Sequence, residues 1–279
     1  MRGAVMYAPG DMRVEDRPAP EIINPADAVI KLAATCVCGS DLWDYRGINP
    51  VTQPTPMGHE YAGVVQEVGA EVTPPDPGHI PSLLALSDVM GTGWWAAVAA
   101  EVTPGSTVAV VGDGAVGLCG VIAAWELGAG RIIIMSRHEP RQKLAFEFGA
   151  TDIVTERGDD GAAIREMTEG VGADAVLECV GTPESMQQAL HSARPGGNVG
   201  FVGVPHGVQV NGEELFYSHV GLRGGPAPVR RFLPDLISRV LDGRIDPGKV
   251  FDLTLPLEEA SEAYRAMDER RAIKVLLQP

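Results

Sequence analysis

Two short stretches, CVCGSDLWDYRG and PMGHEYAG, bring Cys38, Ser40, Asp41, His59 and Glu60 into one part of the chain. Thiolate sulfur and imidazole nitrogen are borderline-soft donors that suit zinc, and a catalytic zinc takes three protein ligands and leaves one position for substrate. Spacing alone does not select that chemistry. A single Cys or His is more often a satisfied core residue than a ligand, and both readings stay open at this point.

A second chemistry is written in VAVVGDGAVGLCG, where Gly112, Gly114 and Gly117 have GxGxxG spacing directly after an apolar run and at the start of a helix-like one. The first glycine permits a tight turn, the second lets backbone approach a pyrophosphate, and the third lets helix pack on strand. The helix N-terminus then faces the anion, with Ala115 and Val116 forming its first turn. In dinucleotide folds the following strand commonly ends in an acid that binds the ribose hydroxyls. Here IIIMSRHEPR ends instead in Ser136 and Arg137, with Arg141 one turn on. A small hydroxyl followed by arginine suits a 2'-phosphate, so NADP is expected ahead of NAD, although Glu139 acts against it. The competing reading places both arginines on a solvated helix start. Cations near a helix N-terminus are disfavoured by ~0.3 to 1 kcal/mol each, which a bound anion would offset.

The elements that must position these residues follow from patterning. Between Thr107 and Phe201, β-branched runs (TVAVVG, RIIIM, DIV, DAVLECVG, NVGFVG) alternate with helix-length segments. That alternation predicts a parallel sheet covered on both faces and joined by right-handed crossovers. Residues 1 to about 70 read as strands with Pro- and Gly-rich connections (GAVMY, DAVIKLAAT, YAGVVQEVG). After the alternating region come two helical segments and a closing strand, IKVLLQ, which suits the N-terminal β-rich region.

Bulk properties exclude several functions. At 279 residues the chain can hold two ordinary domains, and 45% hydrophobic with 21% charged residues is the composition of a soluble globular protein. A net charge of -15 with no basic patch opposes a nucleic-acid partner. The N-terminus has no apolar signal-like core, and AVGLCGVIAAWELGAG is broken by Glu126, so no membrane partner and a cytoplasmic location are expected. Cys36, Cys38, Cys119 and Cys179 have no disulfide-framework spacing.

Together CGSD, GHE, the strand-initial GxGxxG, ECVG and GFVGVP make nearly the whole chain resemble the zinc-dependent medium-chain alcohol dehydrogenases. The resemblance implies an α/β protein: a GroES-like, β-rich catalytic domain in truncated form (1–92 and 245–279) and a Rossmann doubly wound parallel sheet (93–244). It implies a catalytic zinc on Cys38, His59 and, in LSDVMGTGWW, Asp88, with Glu60 able to approach the metal when water or substrate is absent. Ser40 would accept or pass the alcohol proton, and Asp41 would orient His59. Thr92, Val180, Val202, Gly203 and Val204 would surround the nicotinamide. Lys274 would reach the pyrophosphate; the bland alternative is an ordinary exposed lysine. The implied reaction is hydride transfer between NADP(H) and a primary or secondary alcohol, or the matching aldehyde or ketone. A homodimer or homotetramer is the expected assembly.

Two departures from the family pattern stand out. Trp43 occupies a position where many members carry a relay His; Trp cannot titrate, so proton transfer would stop at Ser40 or use water, and Trp43 and Trp95 are expected to pack. Also, PPDPGH joins segments between which most members carry several dozen more residues, often with a four-cysteine zinc lobe. One catalytic zinc and no structural zinc are therefore expected, and His79 in the junction is expected to be solvated. A zinc-free quinone or enone reductase and a catalytically silent nucleotide-binding protein are the alternatives; the trio Cys38, His59 and Asp88 argues against the first.

Overall fold

The computed structural model describes residues 1–21, 29–67, 77–155 and 161–278. Chain contacts gather into two units, Met1–Ser87 with Val240–Pro279, and Asp88–Arg239. Most of the Pro-rich junction, from 68 to 76, lies outside the described residues.

The first unit begins with β1 (Arg2–Ala8), β2 (Asp11–Asp16), β3 (Val29–Cys36), α1 (Asp41–Tyr45), β4 (Thr55–Pro56), β5 (Tyr61–Glu67) and α2 (Ile80–Leu86). Gly10, at φ +75°, lets the chain reverse between β1 and β2. The second unit runs α3 (Val89–Ala99), β6 (Thr107–Val111), α4 (Ala115–Glu126), β7 (Arg131–Met135), α5 (Glu139–Glu147), β8 (Asp152–Val154), α6 (Ala162–Met167), β9 (Ala173–Glu178), α7 (Pro183–Ser192), β10 (Ala193–Phe201), α8 (Gly212–Ser218), β11 (Gly221–Gly224) and α9 (Val229–Leu241). The chain then returns to the first unit with β12 (Phe251–Pro256), α10 (Ala260–Asp268) and β13 (Lys274–Gln278).

In the first unit β13 lies between β12 and β3, in the order β12-β13-β3-β5, and pairs antiparallel with β3 at Leu276 with Cys36 and Leu277 with Thr35. Its alternate apolar residues Val275 and Leu277 enter a core with Met6, Val37, Leu42, Ala263 and Tyr264. On the other face, Leu276 packs with Ala34, Cys36 and Leu84 of α2. The closing strand thereby fixes the segment that leads from β3 to Cys38.

In the second unit six strands pair in parallel, in the order β11-β10-β9-β6-β7-β8. The chain moves outward from β6 through β7 to β8, then restarts at β9 on the other side of β6. That reversal opens a crevice at the carboxyl ends of β6 and β9, where ligands of such sheets bind. Helix α3 crosses α4 closely because Gly93 carries no side chain: a Cβ there would stand 2.6 Å from the Gly120 nitrogen. Trp95 packs on Phe232, ring centroids 6.4 Å apart, and under Arg223, the packing role expected for it. The α/β class and the doubly wound parallel sheet are those the patterning predicts.

Candidate functional site

Each unit carries its own set of chemistry-bearing residues. In the first, ligand atoms of Cys38, His59 and Glu60 lie within 4.8 Å of one another. The loop after β3 delivers Cys38, and the segment before β5 delivers His59 and Glu60. Asp41, the first residue of α1, ties the two together. Its Oδ2 accepts the Cys38 backbone N–H at 2.9 Å, and its Oδ1 lies 3.4 Å from His59 Nδ1. Behind it stands Tyr264 of α10, whose phenol is pushed far up by burial and then by the adjacent Asp41 carboxylate, so it stays a neutral donor. Ser40 precedes α1 and its side chain does not cap the helix.

Glu60 is fully buried, and Thr35 Oγ1 donates to its carbonyl at 2.6 Å. Lys274 Nζ donates to Glu60 Oε1 at 2.8 Å and to the Val37 carbonyl at 3.2 Å, while Glu60 Oε2 has no partner among the described residues. Burial acts against the Lys274 charge, but Glu60 outweighs it and holds the ammonium well above the usual lysine range. Both earlier readings of Lys274 need correction. Its side chain is 1% exposed, so it is no surface lysine, and its ammonium is committed to an internal carboxylate rather than offered to a pyrophosphate. Burial also pushes the neighbouring Cys36 thiol far up, which leaves it an inert packing residue. His79, expected in solvent, is half-buried, with Nδ1 enclosed and unpartnered among the described residues.

A donor set of one thiol, one imidazole and one carboxylate oxygen that has no partner among the described residues fits zinc on chemical grounds. Asp88 is the first residue of the second unit, two positions beyond α2 and immediately before α3. Thr92, one turn on, donates to Asp88 Oδ1 at 2.8 Å.

In the second unit the glycine loop has the geometry its spacing requires. Gly112 sits at φ +112°, and a Cβ on Gly117 would fall 1.9 Å from the Gly112 carbonyl oxygen. Gly114 caps α4, and a Cβ there would meet nothing within 4 Å among the described residues. Backbone amides of Ala115, Val116 and Gly117 thus begin a 12-residue helix, a cradle that fits a pyrophosphate.

At the ends of β9 and β10, Val180, Val202, Gly203 and Val204 come together. A Cβ on Gly112 would approach Val180 Cγ2 to 2.7 Å, and one on Gly203 would lie 2.2 Å from the Gly181 nitrogen. Glu178 holds these turns. Its carbonyl accepts from Val202 and Gly203 N–H, and its Oε1 accepts from Val180 N–H, Gly181 N–H and Ser185 Oγ. Glu178 is fully buried; in the sequence it is the acid that closes an apolar strand and opens ECVG.

At the end of β7, Ser136 and Arg141 are buried and Arg137 is exposed, so the solvated-helix reading fails for Arg141. Ser136 Oγ donates to Asp113 Oδ2 at 2.8 Å, and Arg141 contacts Asp113 Oδ1 and its carbonyl at 3.3 Å. Asp113, inside the glycine motif, was not singled out by the sequence; no local pattern shows that its side chain turns toward the next strand.

Residues 24–119 match the alcohol dehydrogenase GroES-like domain family, and residues 115–230 match the zinc-binding dehydrogenase family. The Mycobacterium tuberculosis protein named "Probable zinc-binding alcohol dehydrogenase Rv1895" is 33% identical, covering 95% of this chain and 84% of that protein. That alignment runs over 328 positions against 279 residues, so it opens dozens of gaps in this chain. Zinc-type alcohol dehydrogenase B of Aspergillus flavus is 27% identical over 99% of this chain and 81% of its own. Among solved structures, alcohol dehydrogenase TADH from Thermus sp. ATN1 superposes with a TM-score of 0.92 at 26% identity, covering 100% of both chains.

Proposed function

Because the chain belongs to the zinc-dependent medium-chain alcohol dehydrogenase family, and so is an oxidoreductase acting on alcohols, we propose that it transfers hydride between NADP(H) and a primary or secondary alcohol, or the matching aldehyde or ketone. The observation that carries this reading is the convergence of Cys38, His59 and Glu60 over Asp41. We assign Cys38, His59 and Asp88 as ligands of one zinc, with Glu60 as an alternative ligand supplied by its unpartnered Oε2. When bound, zinc supplies a Lewis acid for the substrate oxygen and the nicotinamide a hydride donor or acceptor.

The chain's own residues do the rest. Asp41 faces His59 Nδ1 and so fixes the ring, which leaves the other ring nitrogen for the metal. Ser40 takes or returns the hydroxyl proton of the substrate and hands it to water, since Trp43 cannot carry it further. The glycine loop holds the pyrophosphate; Ser136, Arg137 and Arg141 receive the adenosine 2' end. Thr92, Val180, Val202, Gly203 and Val204 shape the nicotinamide side. The net charge of -15 supports a small-molecule substrate over a nucleic acid. No helix among the described residues is long and apolar enough to cross a membrane, and we place the protein in the cytoplasm. By analogy with the family, copies associate through the parallel sheet, whose edge strands are β11 and β8, as a homodimer or homotetramer.

Metal analysis by mass spectrometry tests the assignment directly: about one zinc per chain is expected, and Cys38→Ser should lose it together with NADPH-dependent reduction of aldehydes and ketones. Zinc and activity both retained in Cys38→Ser would overturn the ligand set. A zinc-free protein that reduces only enones or quinones would overturn the reaction.

A further inference from the structure

We propose that Asp113 sets the cofactor's 2'-position selectivity, limiting the preference for NADP(H) that the neighbouring arginines give. The inference rests on the nucleotide-site reading above and concerns a residue to which that reading gives no role.

Three observations converge on it. First, Ser136 stands where dinucleotide folds commonly place a ribose-binding acid, and here a carboxylate reaches that same place from another direction. Asp113, on the loop after β6, puts Oδ2 2.8 Å from Ser136 Oγ at the end of β7. An acid selective for an unphosphorylated ribose is thus present, carried by the glycine loop instead of the second strand. Second, Ser136 spends its only proton on Asp113. A hydroxyl that would have to donate to a 2'-phosphate has nothing to donate until Asp113 releases it. Third, Asp113 neutralises Arg141, whose Nη1 lies 3.3 Å from its Oδ1, with both side chains about nine-tenths buried. Arg137 is exposed and forms no ion pair among the described residues, so it is the uncompensated cation of the group.

A 2'-phosphate entering this corner meets one free cation, one neutralised cation and one fixed negative charge. A ribose hydroxyl meets a carboxylate acceptor. Removing the charge of Asp113 should therefore favour the phosphorylated cofactor twice over, by ending a like-charge repulsion and by releasing the Ser136 proton.

The test measures dissociation constants of NADH and NADPH by nucleotide fluorescence, and of AMP and adenosine 2',5'-bisphosphate by calorimetry, for wild type, Asp113→Asn, Asp113→Ala and Arg137→Ala. Both Asp113 variants should raise the affinity ratio of NADPH over NADH by about tenfold or more, with the bisphosphate and AMP following the same order, since one unit charge a few ångströms away carries an effect of that size. Arg137→Ala, an exposed change that leaves the loop intact, should remove most of whatever NADPH preference the wild type has. Ratios unmoved within twofold in both Asp113 variants would overturn the proposal, as would an Arg137→Ala protein that keeps the wild-type ratio, because Arg141 would then be reading the phosphate unhindered. A wild type that prefers NADH, with the Asp113 variants moving toward NADPH, supports this inference and overturns the NADP(H) preference in the reading it rests on. A wild type that binds none of the four overturns both.

Discussion

At the scale of single residues, the buried ion pair between Lys274 and Glu60 decides how the candidate metal ligands are held. A carboxylate with no exposed surface beside a lysine at 1% exposure has no solvent to fall back on. Removing one partner strands the other. Lys274→Met should lower stability by about 3 to 5 kcal/mol, the usual cost of leaving a buried charge unpaired. Urea unfolding would measure it, and the double variant Lys274→Met, Glu60→Gln should recover much of the loss because the stranded charge is gone. A single variant as stable as wild type would mean that water reaches Glu60. This pairing could not be read from the sequence: the two residues lie 214 positions apart and meet only because β13 adds beside β3. The types and order of Cys38, Asp41, His59 and Glu60 were legible, since ligand chemistry restricts which residues can serve. Burial was not legible, because it depends on which strand closes over which.

At the scale of elements, the loop between β6 and α4 shows what glycine spacing can encode and where it stops. Two substitutions separate structure from binding. Gly117→Ala places a Cβ 1.9 Å from the Gly112 carbonyl, so the turn itself must shift; stability and NADPH affinity should fall together, the affinity at least about tenfold if the misfit reaches about 1.4 kcal/mol. Gly114→Ala meets no atom of the described residues within 4 Å, and its backbone, φ -78° and ψ 179°, suits alanine. Its stability should stay within about 1 kcal/mol of wild type, the range for a changed helix cap, while NADPH affinity falls because the added methyl occupies the space left for the pyrophosphate. Thermal unfolding beside fluorescence titration checks both. A Gly114→Ala protein that binds NADPH as tightly as wild type would remove the loop from the cofactor site. The turn was legible because three glycines at fixed spacing mark a tight turn, a close approach left for a ligand and a helix packed on a strand. The direction of Asp113 was not, since it is set by β7 landing beside β6. Glu178 binds groups close by in sequence, Val180 N–H, Gly181 N–H and the Ser185 hydroxyl, but its full burial, which makes it the anchor of these turns, depends on the assembled sheet.

At the scale of the whole molecule, charge governs acid stability, and its contribution sits at the end of the parallel sheet away from the glycine loop. Arg131, at the start of β7, binds Asp152 at the start of β8 through two hydrogen bonds of 2.9 Å, and it also donates to the Met167 carbonyl. Arg194 of β10 binds Asp174 of β9, which also accepts the Thr107 N–H of β6. The Arg131 hydrogen bonds hold the Asp152 carboxyl below its ordinary range; for Asp174 burial pushes upward, but Arg194 and the Thr107 amide outweigh it. Both folded pKa values are depressed, so on acidification the unfolded chain takes up these protons first. The stabilisation is complete above the unfolded carboxylate value, about pH 4. It disappears as pH falls through the lower folded values. Arg131→Met should therefore melt below wild type at pH 7, by the equivalent of no more than about 1 kcal/mol for so solvent-accessible a pair, and the two curves should converge near pH 2. Scanning melting temperature from pH 7 to 2 on both proteins makes the comparison, and taking the difference cancels the general acid destabilisation expected of a chain with 37 acidic residues. Cofactor affinity at pH 7 should be unchanged, because these pairs lie at the strand starts and the glycine loop follows a strand end. A gap between the melting curves that persists at pH 2 would show that Arg131 stabilises the sheet by packing and its Met167 contact, not by its charge.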